Sequence, residues 1–267
     1  MDAVARFVAG CERLLVLTGA GCSTASGIGD YRDASGAWKR AAPIQHADFV
    51  RSAATRQRYW ARSFHGWPDF CRAEPNAAHH AIAGLENVVG VITQNVDRLH
   101  QRAGSSDVID LHGRLDQVIC LGCAESISRD DMQHRLAELN PWLGGGRYTP
   151  APDGDADLQM SEEQLGEVVV PECPSCGGVL KPDVVFYGDG VPKPRVESAY
   201  AWVDECDGMM VVGSSLMVFS GLRFCRRADK RGVPLALVNQ GRTRADELFA
   251  LRLIEPCEQA LPQICST

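Results

Sequence analysis

Residues 88–113 constrain this chain more than any other stretch. Val88-Val89-Gly90-Val91-Ile92-Thr93 is an apolar, β-branched run, the composition of a strand buried on both faces of a parallel sheet. At its carboxyl end stand Gln94, Asn95 and Asp97. In open α/β sheets ligands bind outside that end of the strands. A short helical pattern and Gly104 lead to a second strand, Val108-Ile109-Asp110-Leu111, which ends on His112-Gly113. Two successive strands thus deliver polar groups to the same kind of edge. Asn and Asp after a strand also serve as simple turn residues, and a single His as a structural one. Their combination points to a site with an amide reader and an imidazole base.

The same pattern recurs along the chain. Apolar runs at Leu14–Thr18, Gly208–Val212 and Leu235–Val238 are separated by helical patterns at residues 2–13, 191–201 and 223–231. Strands alternating with helices predict a doubly wound parallel α/β sheet. The first strand runs into Gly19-Ala20-Gly21-Cys22-Ser23, a glycine-rich turn of the kind that lets a pyrophosphate approach the backbone. Thr24 stands where a dehydrogenase fingerprint wants its third glycine. Gly213-Ser214-Ser215 and Asn239-Gln240-Gly241 follow later strands. The first of these could meet the other phosphate or ribose of the same ligand. Pro75-Asn76 opens a helix in which His79 reads as a hydrogen-bonding residue at the helix end rather than a ligand. Residues 33–70 read as helix and loop, dense in aromatics such as Tyr59, Trp60 and Phe64, which fill a core or line an apolar channel.

Charge and length narrow the class. A net charge of −7 over 267 residues argues against a nucleic-acid surface built on bulk positive charge. No apolar run approaches the roughly 18 residues a membrane span needs. The first strand begins by about Leu14, with Asp2 and Glu12 ahead of it, leaving little room for a targeting peptide. A cytoplasmic monomer is the expectation.

Four of the eleven cysteines form two Cys-x-x-Cys pairs, Cys120/Cys123 and Cys173/Cys176. Two such knuckles supply four thiolates for a tetrahedral zinc, with no position left open for chemistry. The ion would fold a module too small to hold itself together. Residues 115–181 are therefore expected to form a zinc module inserted into a nucleotide-binding domain of residues 1–114 and 182–267. Between the knuckles lie a helical pattern, Arg129–Leu139, and a Gly/Pro/Asp-rich run, Gly144–Asp157, either a solvated loop or a flap over the site.

Taken together, these segments resemble the sirtuins. The resemblance rests on Gly19–Arg32, Thr93–Asp97, Leu111-His112-Gly113, both cysteine pairs, Gly213–Ser215 and Asn239. Arg56–Arg62, Lys181–Asp189 and Gly241–Asp246 resemble class II of that family. Gly29 departs from the family's usual proline and Tyr31 from its phenylalanine. The resemblance implies a Rossmann-like domain with a zinc module, binding NAD as a consumed substrate and acyl-lysine proteins as partners. It places Gly21, Ser23, Arg32 and Ser214 on pyrophosphate and ribose, with Gly19, Ala20, Gly213 and Ser215 also in the cofactor site. Asp30, Asn95 and Asp97 fall to the nicotinamide pocket, and Gln94 to its ribose. Asn239 falls to the adenosine ribose and the Cys257 backbone to adenine, and Tyr31, Gln240 and Gly241 are further cofactor-binding positions. His112 is the implied general base.

Tyr59 and Arg62, three apart on a helix, would meet the acyl group, with Arg62 binding a terminal carboxylate. Val185, Phe186, Tyr187 and Gly188 would contact the lysine substrate. The class II resemblance implies weak deacetylation with larger acyl groups preferred, and an Arg62 clamp would add a preference for carboxylated ones. A protein ADP-ribosyltransferase would use the same NAD site. A hydride-transferring dehydrogenase lacks its glycine, and a zinc-ribbon nucleic-acid binder would want basic flanks where Glu125, Asp130 and Asp131 stand.

Overall fold

Among the described residues, eleven strands follow in chain order: β1 Leu14–Thr18, β2 Val88–Thr93, β3 Val108–Asp110, β4 Gly113–Cys120, β5 Ser126–Ser128, β6 Tyr148–Ala151, β7 Asp155–Leu158, β8 Leu180–Val184, β9 Gly208–Val212, β10 Leu235–Val238 and β11 Leu251–Leu253. They come from a computed structural model that describes residues 1–29, 43–145, 147–151 and 154–265. The chain divides into two units, one of Met1–Ala41, Glu74–His112 and Val191–Thr267, the other of Ala42–Ala73 and Gly113–Gly190.

The larger unit is a six-stranded parallel sheet of order β11-β10-β9-β1-β2-β3. All five β1 residues are buried, so alternate side chains enter different cores. Leu15, Leu17, Met209, Val211, Leu235 and Leu237 pack with Ala199 and Val203 of the helix Lys193–Glu205, and with Leu222 and Phe224 of the helix Phe219–Lys230. Leu14, Val16, Met210, Val212, Ala236 and Val238 pack with Val4 and Val8 of the helix Asp2–Gly10 and with Leu261 and Ile264 of the helix Cys257–Cys265. Helices on both faces make the sheet doubly wound, as the alternation of patterns predicts. Strand order reverses between β9 and β1, which defines the crevice where such sheets take ligands.

The smaller unit holds a three-stranded antiparallel sheet, β5-β4-β8, and the hairpin β6-β7. Its core joins Val118, Cys120, Leu180, Met132 and Leu136 to Phe49 and Trp60. Because Trp60 of the helix Ala53–Phe70 is fully buried there, residues 42–73 group with this unit and not with the nucleotide-binding domain expected from sequence. Arg129 is buried, its guanidinium 5.5 Å and 5.1 Å from the Trp60 and Trp67 rings. It donates to Ser63 O and Oγ at 3.0 Å each. Among the described residues, no helix is long and apolar enough to cross a membrane.

Candidate functional site

The parallel register aligns Thr18 with Thr93 and with Val212, and Val212 with Val238. The turns that follow these four residues therefore open on one edge of the larger unit. They contain Gly19–Ser23, Gln94–Asp97, Gly213–Ser215 and Asn239–Gly241, four of the groups expected from sequence. Asp30, Tyr31 and Arg32 lie outside the described residues.

Two of these turns are packed backbone against backbone. Gly21 N–H donates to Gly213 O at 2.9 Å. Gly213 has φ +60°, and a Cβ there would stand 2.3 Å from Cys22 N. Only glycine meets both demands. Gln94 Nε2 ties the neighbouring turn in, donating to Ser214 Oγ at 2.7 Å. Asn239 Nδ2 donates to Gly241 O at 2.8 Å, and Gln240 is exposed. Cys257 is buried, and burial pushes its thiol up to about 12.

Ser23 is the hub of the polar edge. Its hydroxyl donates to Asp97 Oδ2 at 2.7 Å and accepts from Asn95 Nδ2 at 2.9 Å. His79 Nε2 lies 3.4 Å away. Since His79 Nδ1 accepts the Asn76 N–H at 3.2 Å, its Nε2 carries the proton and donates to Ser23. That uses the donor and both acceptor positions of Ser23. Asn95 also donates to Gly19 O at 3.1 Å, and Asp97 Oδ1 accepts the Leu99 N–H at 2.9 Å. Burial raises the Asp97 carboxyl, opposed by the Ser23 hydrogen bond.

Cys22, His79 and His100 offer ligand atoms within 4.8 Å of one another and are all buried. Their hydrogen bonds tie them into the polar edge. His79 Nδ1 accepts the Asn76 N–H, so its Nε2 carries the hydrogen, His100 Nε2 lies 2.9 Å from Thr18 Oγ1, and burial holds the Cys22 thiol well above its usual value. Both imidazoles are neutral, burial taking His79 to about 4 and His100 to about 3. His79 closes a capping box on the helix Ala77–Ala83, the helix-end role expected of it.

His112 follows β3 on the same edge. Nδ1 lies 2.9 Å from Gln94 O and Nε2 2.7 Å from Ser220 Oγ. A carbonyl oxygen only accepts, so Nδ1 carries the hydrogen and Nε2 a lone pair. Burial lowers this imidazole to about 4, opposed by the Gln94 bond and helped by Arg195 and Arg223. His112 is thus a neutral proton acceptor at physiological pH. Ser220 escapes sequence reasoning, because a serine in the first turn of a helix belongs to no motif.

In the smaller unit the four knuckle cysteines converge. The Sγ atoms of Cys120 and Cys176 are 3.5 Å apart, those of Cys123 and Cys173 3.7 Å, and all four lie within 4.8 Å of one another. Sulfurs bound tetrahedrally to zinc at ~2.3 Å lie about 3.8 Å apart, so the set fits that ion. Backbone N–H groups, that of Cys123 first, bring the Cys120 thiol down to about 6, while the neighbouring thiols, Cys123 first, push Cys176 up to about 12.

Tyr59 packs edge-on against Phe49 and Phe186, with ring centroids 5.4 Å away in each case. Val185, Phe186 and Tyr187 are half-buried and Gly188 exposed. Tyr187 O accepts the His46 N–H at 2.9 Å. Arg62 requires a correction. Its guanidinium is gripped by Asp155, with Nε–Oδ1 2.9 Å and Nη2–Oδ2 2.6 Å, and Asp157 stands 3.6 Å away. It is not an open clamp for a substrate carboxylate, because a protein carboxylate already occupies the fork. The Gly-rich run between the knuckles is likewise not a bare loop. It contains the hairpin β6-β7, where a Cβ on Gly66 would stand 2.3 Å from Gly154 O.

The Sir2 family model matches residues 19–220. An NAD-dependent protein deacetylase of Bordetella bronchiseptica is 51% identical over 269 residues, covering 100% of this chain and 97% of that protein. The human mitochondrial NAD-dependent protein lipoamidase sirtuin-4 is 49% identical over 265 residues, covering 97% of this chain and 84% of that protein. A solved Sir2 complex with a p53 peptide and NAD+ superposes with TM-score 0.79 at 27% identity, covering 100% of this chain and 97% of that one. The chain belongs to the Sir2 family and is an enzyme of the sirtuin type. The likeness to human sirtuin-4 supports the class II resemblance.

Proposed function

We propose that this chain is an NAD-dependent protein-lysine deacylase, moving an acyl group from lysine to ADP-ribose and releasing nicotinamide. The observation that carries the reading is a neutral His112 on the same sheet edge as the Gly19–Ser23 and Gly213–Ser215 turns, Gln94, Asn95 and Asp97. The names of the relatives, and neighbours bound to NAD+ or to acetylated peptide, support it.

In this reading the larger unit binds NAD. The packed glycine turns, with Ser214 and Ser215, take the pyrophosphate and ribose, and Ser23 positions Asn95 and Asp97 beside them. Asn95 and Asp97 face the nicotinamide amide, and Gln94 its ribose. Asn239, Gln240 and Gly241 take the adenosine ribose, and the Cys257 backbone the adenine. The acyl oxygen attacks C1′ of the nicotinamide ribose as the glycosidic electron pair leaves with nicotinamide. His112 is then the general base for a ribose hydroxyl, which loses its proton and attacks the acyl carbon. In the smaller unit, Tyr59 and Val185–Gly188 contact the acyl-lysine, and the four cysteines hold one zinc ion whose contribution is to the fold. We expect acyl groups larger than acetyl to be preferred, in keeping with the lipoamidase name of the human relative.

The test is mass spectrometry of reactions with NAD and a panel of acyl-lysine peptides, which should yield O-acyl-ADP-ribose. ADP-ribosylated protein alone, or no NAD turnover, overturns the proposal. His112→Ala should slow deacylation by about 10²–10⁴ and depress nicotinamide exchange less, whereas Asn95→Ala should damage both.

A further inference from the structure

The lone pair on His112 Nε2 is already engaged. The ring is neutral and its Nδ1–H points at Gln94 O, so the 2.7 Å contact at Nε2 is a hydrogen bond donated by the Ser220 hydroxyl. An imidazole nitrogen has one lone pair in the ring plane and takes one good donor. A substrate hydroxyl cannot share it while Ser220 stays in place.

Ser220 is held there by its helix. It lies in the first turn of Phe219–Lys230, and its neighbour Gly221 abuts the Gln94 side chain so closely that a Cβ would stand 2.9 Å from Gln94 Cδ. Gln94 is also the residue whose carbonyl holds His112 Nδ1. One residue thus sets both the base and the hydroxyl that reaches it. Ser220 is only half-buried, and its oxygen has acceptor capacity beyond the hydrogen it donates.

We infer that Ser220 is a proton relay between the substrate ribose hydroxyl and His112, an inference that rests on the reading of His112 as the base. The ribose O–H bond breaks and its proton forms a new O–H bond on Ser220 Oγ. In concert, the original Ser220 O–H bond breaks and its proton binds Nε2. Ser220 ends neutral, His112 ends as imidazolium, and the ribose oxygen attacks the acyl carbon with the electron pair it keeps. The step consumes no further reactant.

A proton inventory tests it: single-turnover deacylation rates of the parent enzyme in H₂O/D₂O mixtures. Two protons in flight give a bowed plot, and one gives a straight line. The parent should bow, and Ser220→Ala should be linear and slower by about 10-fold or more, a fraction of the general-base contribution. Ser220→Thr should restore both rate and curvature. A linear plot for the parent overturns the relay, and that measurement needs no variant to fold. A Ser220→Ala enzyme as fast as the parent, or faster, overturns it too. His112→Gln separates the two readings: if it abolishes deacylation while the parent plot is linear, only the relay falls. If His112→Gln deacylates normally, the base assignment falls with it.

Discussion

The two units solve the problem of stability by different means. In the larger, β1 is buried along its whole length and feeds two apolar cores through alternate side chains, Leu15 and Leu17 to one, Leu14 and Val16 to the other. The smaller has a short antiparallel sheet, and two members of its core cluster, Cys120 and Cys173, are themselves thiols of the metal site. Apolar burial at ~25 cal/mol per Å² can hold a doubly wound sheet by itself. A core in which thiol ligands occupy apolar positions leans on the ion. Chemistry is divided in the same way. Polar turns at aligned strand ends make the larger unit reactive, while the smaller closes its metal inside four sulfurs.

Removing the metal should separate the units most sharply. Zinc in such sites contributes on the order of 10 kcal/mol, comparable to the whole stability of a domain. Elemental analysis should find about one zinc per chain, by the four-ligand rule. In Cys173→Ala, amides of β4 and β8 should lose hydrogen-exchange protection while those of β1 and β9 keep most of theirs. A zinc-free Cys173→Ala protein with β4 and β8 still protected would show that the smaller unit holds without its ion.

Acid should act on the larger unit. His79 and His100 are fully buried and neutral, at about 4 and about 3 against an ordinary 6.5. Between those values and 6.5 the unfolded chain binds protons that the folded one refuses, so stability is complete above 6.5 and falls as pH drops below it. From pH 7 to pH 5 each histidine should cost about 1–2 kcal/mol, at ~1.4 kcal/mol per unit of pKa difference. Zinc loss also occurs in acid, so the diagnostic is a difference: His100→Gln should flatten the pH dependence measured by urea unfolding. An unchanged slope would place the acid sensitivity elsewhere.

The same contrast explains what could be read in the sequence. Strands of a parallel sheet are continuous apolar runs, so β1, β2, β9 and β10 announce themselves, and the polar residues beyond them mark the edge. Glycine turns and cysteine pairs are local patterns and are equally legible. The smaller unit is written at longer range. The hairpin β6-β7 hides in a Gly/Pro/Asp-rich run, and residues 42–73 join the unit through Trp60, whose aromatic ring could fill any core. Ser220 is silent for a related reason, since its partner His112 is 108 residues away.

Arg62 is the sharpest of these long-range cases and carries the smallest predicted effect. Tyr59 and Arg62 at helical spacing look like a phenol and a cation waiting for an acyl carboxylate, but Asp155 is 93 residues further on. Both side chains of the pair are about one-third exposed, at 32% and 34%. Burial pushes the Asp155 carboxyl up even with Arg62 beside it. Exposed pairs contribute up to about 1 kcal/mol and breaking fully buried ones costs about 3–5, so Arg62→Met should cost about 1–2 kcal/mol. Asp155→Asn should cost a similar amount, and the double variant less than the sum of the two, because each change removes the same interaction. The loss should appear first as faster hydrogen exchange in β7, since Arg62 Nε also donates to Ala156 O at 3.0 Å. The ratio of kcat/KM for acidic over neutral acyl peptides of equal length should not change in Arg62→Met, because the guanidinium is already spoken for. A collapse of that ratio, with β7 exchange unaltered, would restore Arg62 to the substrate and make Asp155 its resting-state stand-in.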